Sequence, residues 1–413
     1  MRGNKGRVDM RRVELNGLVR RRIVVCLAVA LTTLTAPAPL AQADTIRSQQ
    51  WYLDAMRAEE MWQTSTGSGM TVAVVDSGVD VELPDLQGQV LSGKDFSDLE
   101  GDAHSDYDGH GTSMAVLIAG TGKSNGGAGA FGLAPKAKIL PLRVANDKVA
   151  APGVLPAASI AAAIRYAADS EARIINVSMG GSFENGDEAK AVRYAISKGK
   201  LIFASAGNTG DKSNRPEYPA AFPGVVGVAA VDQDIKATAE SQHGPQVDLA
   251  APGDNIVATC KGGTGLCRSH GTSDATALTS ASAALLWSAH PDWTANQVLR
   301  VLINTAGGPK SGEKRSDSIG YGVVRPRIAL QNPGDPGPAD VSPLPELAAA
   351  KPPTTGNATT GKEAAQRQAV EPETKGWSSW LSQRNVLAVG VVATAVILAA
   401  GVSVLFVRRR RAL

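Results

Sequence analysis

Met70-Thr71-Val72-Ala73-Val74-Val75-Asp76 is a short apolar run that ends on a carboxylate. Three of its residues are valine, Gly67-Ser68-Gly69 precedes it and Ser77-Gly78 follows. That length, β-branching and flanking of breakers predict a strand rather than a helix. Because the run does not alternate with polar residues, both faces of the strand must be buried. Four further runs at 138–144, 173–177, 201–206 and 225–231 read the same way. Between the second and third, residues 157–169 place Ile160, Ala163, Ile164 and Ala167 on one helical face. Residues 188–198 do so with Ala191, Val192, Ala195 and Ile196, and Gly199 supplies a stop. Strands alternating with helices predict an α/β sandwich of three layers around a central, mostly parallel sheet. In such sheets ligands bind beyond the carboxyl ends of the strands. Asp76 and Asn208 fall at two such ends.

Three segments carry chemistry: Val75-Asp76-Ser77-Gly78, Gly109-His110-Gly111-Thr112 and Gly271-Thr272-Ser273. A serine hydroxyl is a poor nucleophile until a base takes its proton, and imidazole suits that task near neutral pH. A buried carboxylate fixes the tautomer of the imidazole and stabilises the imidazolium that forms. Each segment alone is a weak signal. Together, in the order Asp76, His110, Ser273 and separated by 34 and 163 residues, they predict a catalytic triad.

At these residues the chain resembles the subtilisin-like serine proteases, over roughly residues 50–330. The resemblance implies the subtilisin-like form of the sandwich and hydrolysis of polypeptides by a serine endopeptidase. It also implies an oxyanion hole from the Asn208 side chain, in Ala204-Ser205-Ala206-Gly207-Asn208, and the Ser273 amide. Ser178, Met179 and Gly180, with Ala206 and Gly207, match the substrate-binding segments, and Ala250-Ala251-Pro252-Gly253 matches a turn upstream of the serine. Within the family the layout is similar to mycosins, which implies membrane subunits of a type VII secretion system as partners. A structural subunit of such a complex with little proteolytic role, and a general surface protease, are the alternatives.

Two residues depart from the family's Gly-Thr-Ser-Met-Ala-x-Pro pattern: Asp274 and Ala277. Asp274 suits the first turn of a helix, yet a carboxylate there repels an oxyanion and raises the pKa of His110. The expected result is slow turnover or narrowed specificity.

The termini read as address labels. Arg20-Arg21-Arg22, an apolar run and Ala41-Gln42-Ala43 predict a signal peptide over 1–43. The peptidase domain then spans 44–330, with a short N-terminal extension and no room for a separate pro-domain. A Pro/Ala-rich stalk follows over 331–385, then a 22-residue uncharged stretch, 386–407, long enough to cross a membrane. Arg408-Arg409-Arg410-Arg411 in the tail 408–413 places that end in the cytoplasm and the peptidase outside the cell membrane, anchored by a single pass. The formal charge of +3 conceals an acidic body. Once the basic first 22 residues and the four terminal arginines are set aside, the remainder carries −7, which argues against nucleic-acid binding.

With Cys26 inside the signal peptide, Cys260 and Cys267 are the two remaining cysteines and are expected to form a disulfide outside the cytoplasm. No cofactor or catalytic metal is expected. Asp98, Glu100, Asp102, Asp106 and Asp108 offer the oxygen ligands that calcium takes, but without a complete spacing, and read in preference as a solvated acidic loop.

Overall fold

A computed structural model describes residues 45–144, 156–259, 261 and 265–349. The strands in chain order are β1 (Thr71–Asp76), β2 (Lys94–Asp95), β3 (Lys138–Arg143), β4 (Ile174–Val177), β5 (Leu201–Ser205), β6 (Val226–Val231), β7 (Leu249–Pro252), β8 (Ile256–Thr259) and β9 (Leu266–Ser269). The first seven form one sheet in the order β2-β3-β1-β4-β5-β6-β7, with every pairing parallel. β8 and β9 form a separate antiparallel pair. The helices used below are α1 (Trp51–Met56), α2 (Ala58–Trp62), α3 (His110–Ala119), α4 (Pro156–Asp169), α5 (Gly186–Ser197), α6 (Thr272–Ala289), α7 (Ala295–Thr305), α8 (Pro326–Gln331) and α9 (Pro345–Ala349).

Successive residues of β1 feed opposite layers, as the pleat requires. Val72 and Val74 pack with α3, α6 and α7 on one face, in a cluster that includes Phe203, Leu278 and Trp287. Ala73 and Val75 pack with α4 and α5 on the other, beside Leu142, Ile164, Val177 and Val192. The three layers expected from the sequence are thus present. Phe203 is fully buried between sheet and helices. Phe203→Ala is expected to cost about 3–5 kcal/mol of stability, measurable by urea unfolding.

α6 is the central helix of its layer. From Asp274 through Trp287 all of its residues are buried, although alanines and leucines alternate there with hydroxyl side chains. Those hydroxyls can lie in the core because they are satisfied internally: Thr276, Thr279 and Ser282 each donate to the carbonyl four residues earlier. Ser280 donates to Asn176 Oδ1 on β4, tying helix to sheet. Ala277, where the family carries proline, is a fully buried residue inside this helix.

Two expectations change. Ala250-Ala251-Pro252-Gly253 is not simply a turn: Leu249–Pro252 is the edge strand β7, paired with β6. Proline is tolerated there because an edge position at a strand end needs no further amide donor. The chain also stays packed beyond residue 330, where a stalk was expected to begin. Arg300 donates to the carbonyls of Pro336, Pro338 and Val341, Thr294 and Asn296 both donate to the Ala339 carbonyl, and Leu344 is buried. The expected signal peptide, the later part of the stalk, the membrane span and the basic tail lie outside the described residues. Among the described residues no helix is long and apolar enough to cross a membrane.

Candidate active site

Asp76 ends β1 at the carboxyl edge of the sheet and is completely buried. His110 opens α3 directly after Gly109. The two side chains meet with His110 Nδ1 2.7 Å from Asp76 Oδ1. Opposite a carboxylate, Nδ1 carries the proton, which leaves Nε2 as the nitrogen able to accept one. Asp76 Oδ1 also accepts the Ser77 amide at 2.8 Å. Gly111 makes this approach possible, because a Cβ there would lie 2.1 Å from the Gly78 carbonyl oxygen and 3.1 Å from Asp76 Cβ. About a third of the His110 side chain, 35%, remains open.

A cleft of about 620 Å³ opens over this pair, and His110, Ser273, Asn208 and Asp274 all line it. Ser273 is the second residue of α6, in the turn whose amides have no carbonyl four residues back to bond. Its Oγ donates to the Ser178 carbonyl at 3.1 Å rather than to His110. In this resting arrangement the hydroxyl lies toward the segment after β4. Catalytic hydrogen bonds are often completed only when substrate binds.

Asn208 follows β5, and Thr272 fixes its amide: the Thr272 N–H donates to Asn208 Oδ1 at 2.9 Å and the Thr272 hydroxyl does so at 3.1 Å. With its oxygen occupied, the amide has its NH2 left to donate. Gly207 adopts a φ of +110°, and a Cβ there would meet Gln242 Nε2 at 2.3 Å. Its neighbour Ala206 is fully buried. Ser178, Met179 and Gly180 continue from β4. The Asn176 amide donates to Ser178 Oγ at 2.9 Å, Met179 packs against the α4–α5 layer, and Gly180 is exposed. Asp76, His110, Ser273, Asn208 and Ser178 are therefore brought to one rim of the sheet.

Asp106 and Thr272 take positioning roles that no motif in the sequence marks. Asp106 is buried and accepts from Ser77 Oγ at 2.8 Å, the Gly109 amide at 3.0 Å and the Thr112 amide at 2.9 Å. It thereby clamps the loop that delivers His110. Asp98, Glu100, Asp102 and Asp108 are exposed, as expected for a solvated loop, so Asp106 departs from that reading. Arg143, fully buried, holds the same loop through Asp95 Oδ2 at 2.9 Å and the carbonyls of Glu100 and Asp102 at 2.7 and 3.0 Å. Among the described residues no three acidic, histidine or cysteine side chains converge as metal ligands. Cys267 stands on β9, exposed, and Cys260 lies outside the described residues.

Asp274 is 1% exposed and accepts from Ser269 Oγ at 2.7 Å. Burial raises its carboxyl to about 6, against smaller lowering effects from Ser269 and His110. The favourable helix position anticipated from sequence is thus outweighed by desolvation. Burial by itself would lower the His110 pKa, but the charge and hydrogen bond of Asp76, with lesser contributions from Asp274 and Asp108, raise it to about 9. For both groups the folded pKa is raised, so their favourable contribution is present at low pH. It is lost as pH rises through about 6 for Asp274 and about 9 for His110. Asp274→Asn is therefore expected to stabilise the fold at pH 8 by about 1–3 kcal/mol and to have little effect at pH 4. It should also move the acidic limb of the activity profile to lower pH. Thermal melts across pH, together with kcat/KM profiles of the two proteins, would check both; a variant less stable at pH 8 contradicts the reading.

The sequence pattern of the subtilase family matches residues 67–322, more than half of the chain, and the protein belongs to that family as a subtilisin-like serine endopeptidase. It is 37% identical to thermitase of Thermoactinomyces vulgaris over 259 residues, which cover 63% of this chain and 88% of thermitase. Among solved structures, MycP1 from Mycobacterium smegmatis is 28% identical with a TM-score of 0.62, covering 73% of this chain and 89% of that one. The MycP3 protease from the type VII (ESX-3) secretion system is 32% identical with a TM-score of 0.60, covering 71% of this chain and 90% of that one.

Proposed function

We propose that Asp76, His110 and Ser273 form the catalytic triad of this endopeptidase and that it works as a mycosin. Ser273 Oγ turns from the Ser178 carbonyl toward His110, gives its proton to Nε2 and attacks the scissile carbonyl carbon. His110, held by Asp76, then passes that proton to the leaving amine, and water releases the acyl group from Ser273 by the reverse sequence. Asn208 Nδ2 and the Ser273 amide take the oxyanion. Ser178, Met179 and Gly180 bind the acyl side of an extended polypeptide, with Ala206 and Gly207 forming the neighbouring wall. The observation that carries this reading is the 2.7 Å contact between His110 and buried Asp76 at a cleft shared with Ser273 and Asn208.

Likeness to MycP1 and MycP3 supports a place beside type VII secretion membrane subunits. The uncharged stretch 386–407 and the arginines after it support anchoring with the peptidase outside the membrane. There, Cys260 and Cys267 pair as a disulfide, and the signal peptide over 1–43 directs export. Release of peptides from unfolded casein by the full chain, compared with Ser273→Ala, tests the enzyme role. Loss of export on deleting the protein, with full export by Ser273→Ala, would favour a scaffold role over a proteolytic one.

A further inference from the structure

We infer that Asp274, at the wall of the cleft beside His110, selects a cationic side chain, lysine or arginine, for the residue immediately after the scissile bond. This inference rests on the triad reading and extends it to the substrate. In that reading the leaving amine departs on the side of His110, which protonates it, while Ser178 to Gly180 hold the acyl side. The cleft lies on the former side: Ser113 and Met114 of α3, and Thr259, Cys267 and Ser269 of the β8–β9 pair, line it, and none of Ser178, Met179 or Gly180 does.

The charge of the cleft decides what it takes. Asp274 is 1% exposed, lines the cleft and is adjacent in sequence to the nucleophile. A carboxylate desolvated to this degree gains most from a matching cation delivered by a ligand. Two basic side chains of the cleft have partners of their own, and His110, whose charge Asp274 favours, must be neutral to take the Ser273 proton. The Lys261 amine donates to the Asp106 carbonyl, and His270 Nδ1 sits 3.3 Å from Glu240. Asp108, a second acid at the cleft, accepts the His110 backbone amide at 2.9 Å and adds negative potential. With His110 neutral, Asp108 and Asp274 outnumber Lys261 around the cleft, and that balance disfavours glutamate or aspartate in the leaving-side position.

The test uses the full chain and a peptide series with one acyl-side sequence, in which the residue after the cut is lysine, arginine, glutamine, leucine or glutamate. At pH 8 the parent is expected to cleave the lysine and arginine peptides with kcat/KM about ten-fold above the leucine peptide. Glutamate is expected to be the poorest. Asp274→Asn, nearly isosteric and relieved of a buried charge, should cleave all five within about two-fold of one another. Equal rates in the parent, or a lysine preference that persists in Asp274→Asn, would overturn the selection and leave the triad reading standing. No cleavage of any peptide, with Ser273 unreactive to a fluorophosphonate, would overturn both. Equal rates in the parent overturn the selection whatever the stability of the variant.

Discussion

Asp76→Asn is expected to lower kcat by about 10⁴-fold with little change in the folded state. The carboxylate holds the proton on His110 Nδ1 through a 2.7 Å contact, which leaves Nε2 free to accept the Ser273 proton. An asparagine at this place can present its NH2 to Nδ1 instead. The imidazole would then carry its proton on Nε2, facing the serine with a donor where an acceptor is required. The imidazolium formed during attack would also lose its counter-charge. Asp76 is completely buried, so water cannot substitute for it. Steady-state kinetics on a cleavable peptide, with near-ultraviolet circular dichroism to verify packing, would measure the loss. A reduction below about ten-fold in a folded variant would mean that this carboxylate does not serve the imidazole.

Asn208→Ala should reduce kcat by about 10²–10³-fold and leave KM nearly unchanged, a magnitude taken from subtilisin, a relative, rather than from this cleft. Thr272 occupies Asn208 Oδ1 with two donors, at 2.9 and 3.1 Å, so the amide cannot flip without breaking both. Its NH2 is then the preset donor for charge that appears only during attack. A donor of this kind contributes to the transition state and little to bound substrate, which is why the loss belongs in kcat. An Asn208→Ala protein whose KM rose at unchanged kcat would instead mark Asn208 as a substrate-binding group.

The parts of the fold legible in the sequence were those governed by burial on both sides. β1, β3, β4, β5 and β6 announce themselves as apolar runs and lie within a residue of where periodicity places them. β2 is two residues long, Lys94–Asp95, and carries no pattern to read. β7 was obscured by Pro252-Gly253, which reads as a turn although the strand ends there. The β8–β9 pair was hidden because one of its strands, Leu266–Ser269, is only partly buried and has no apolar run.

The site divides along similar lines. Asp76, His110, Ser273 and Asn208 were legible because each sits in a short motif at a strand end or helix start. Asp106 was not, because its task is to accept from Ser77, Gly109 and Thr112, three donors that only the folded loop collects. Its position four residues before His110 was visible, but an acidic stretch there looked uniformly solvated. Asp274 was singled out by comparison with the family pattern, yet the balance of dipole against desolvation depends on a burial that sequence does not report. Its raised carboxyl, about 6, follows from the packing of α6 against its surroundings.

The most direct measurement is labelling of the full chain by a fluorophosphonate near pH 9, where His110 sheds its proton, followed by mass mapping of the modified peptide. The account predicts a single phosphonylated side chain, Ser273, with labelling absent in Ser273→Ala and strongly slowed in Asp76→Asn. A folded protein that stays unlabelled, or that carries the label on another residue, would contradict it.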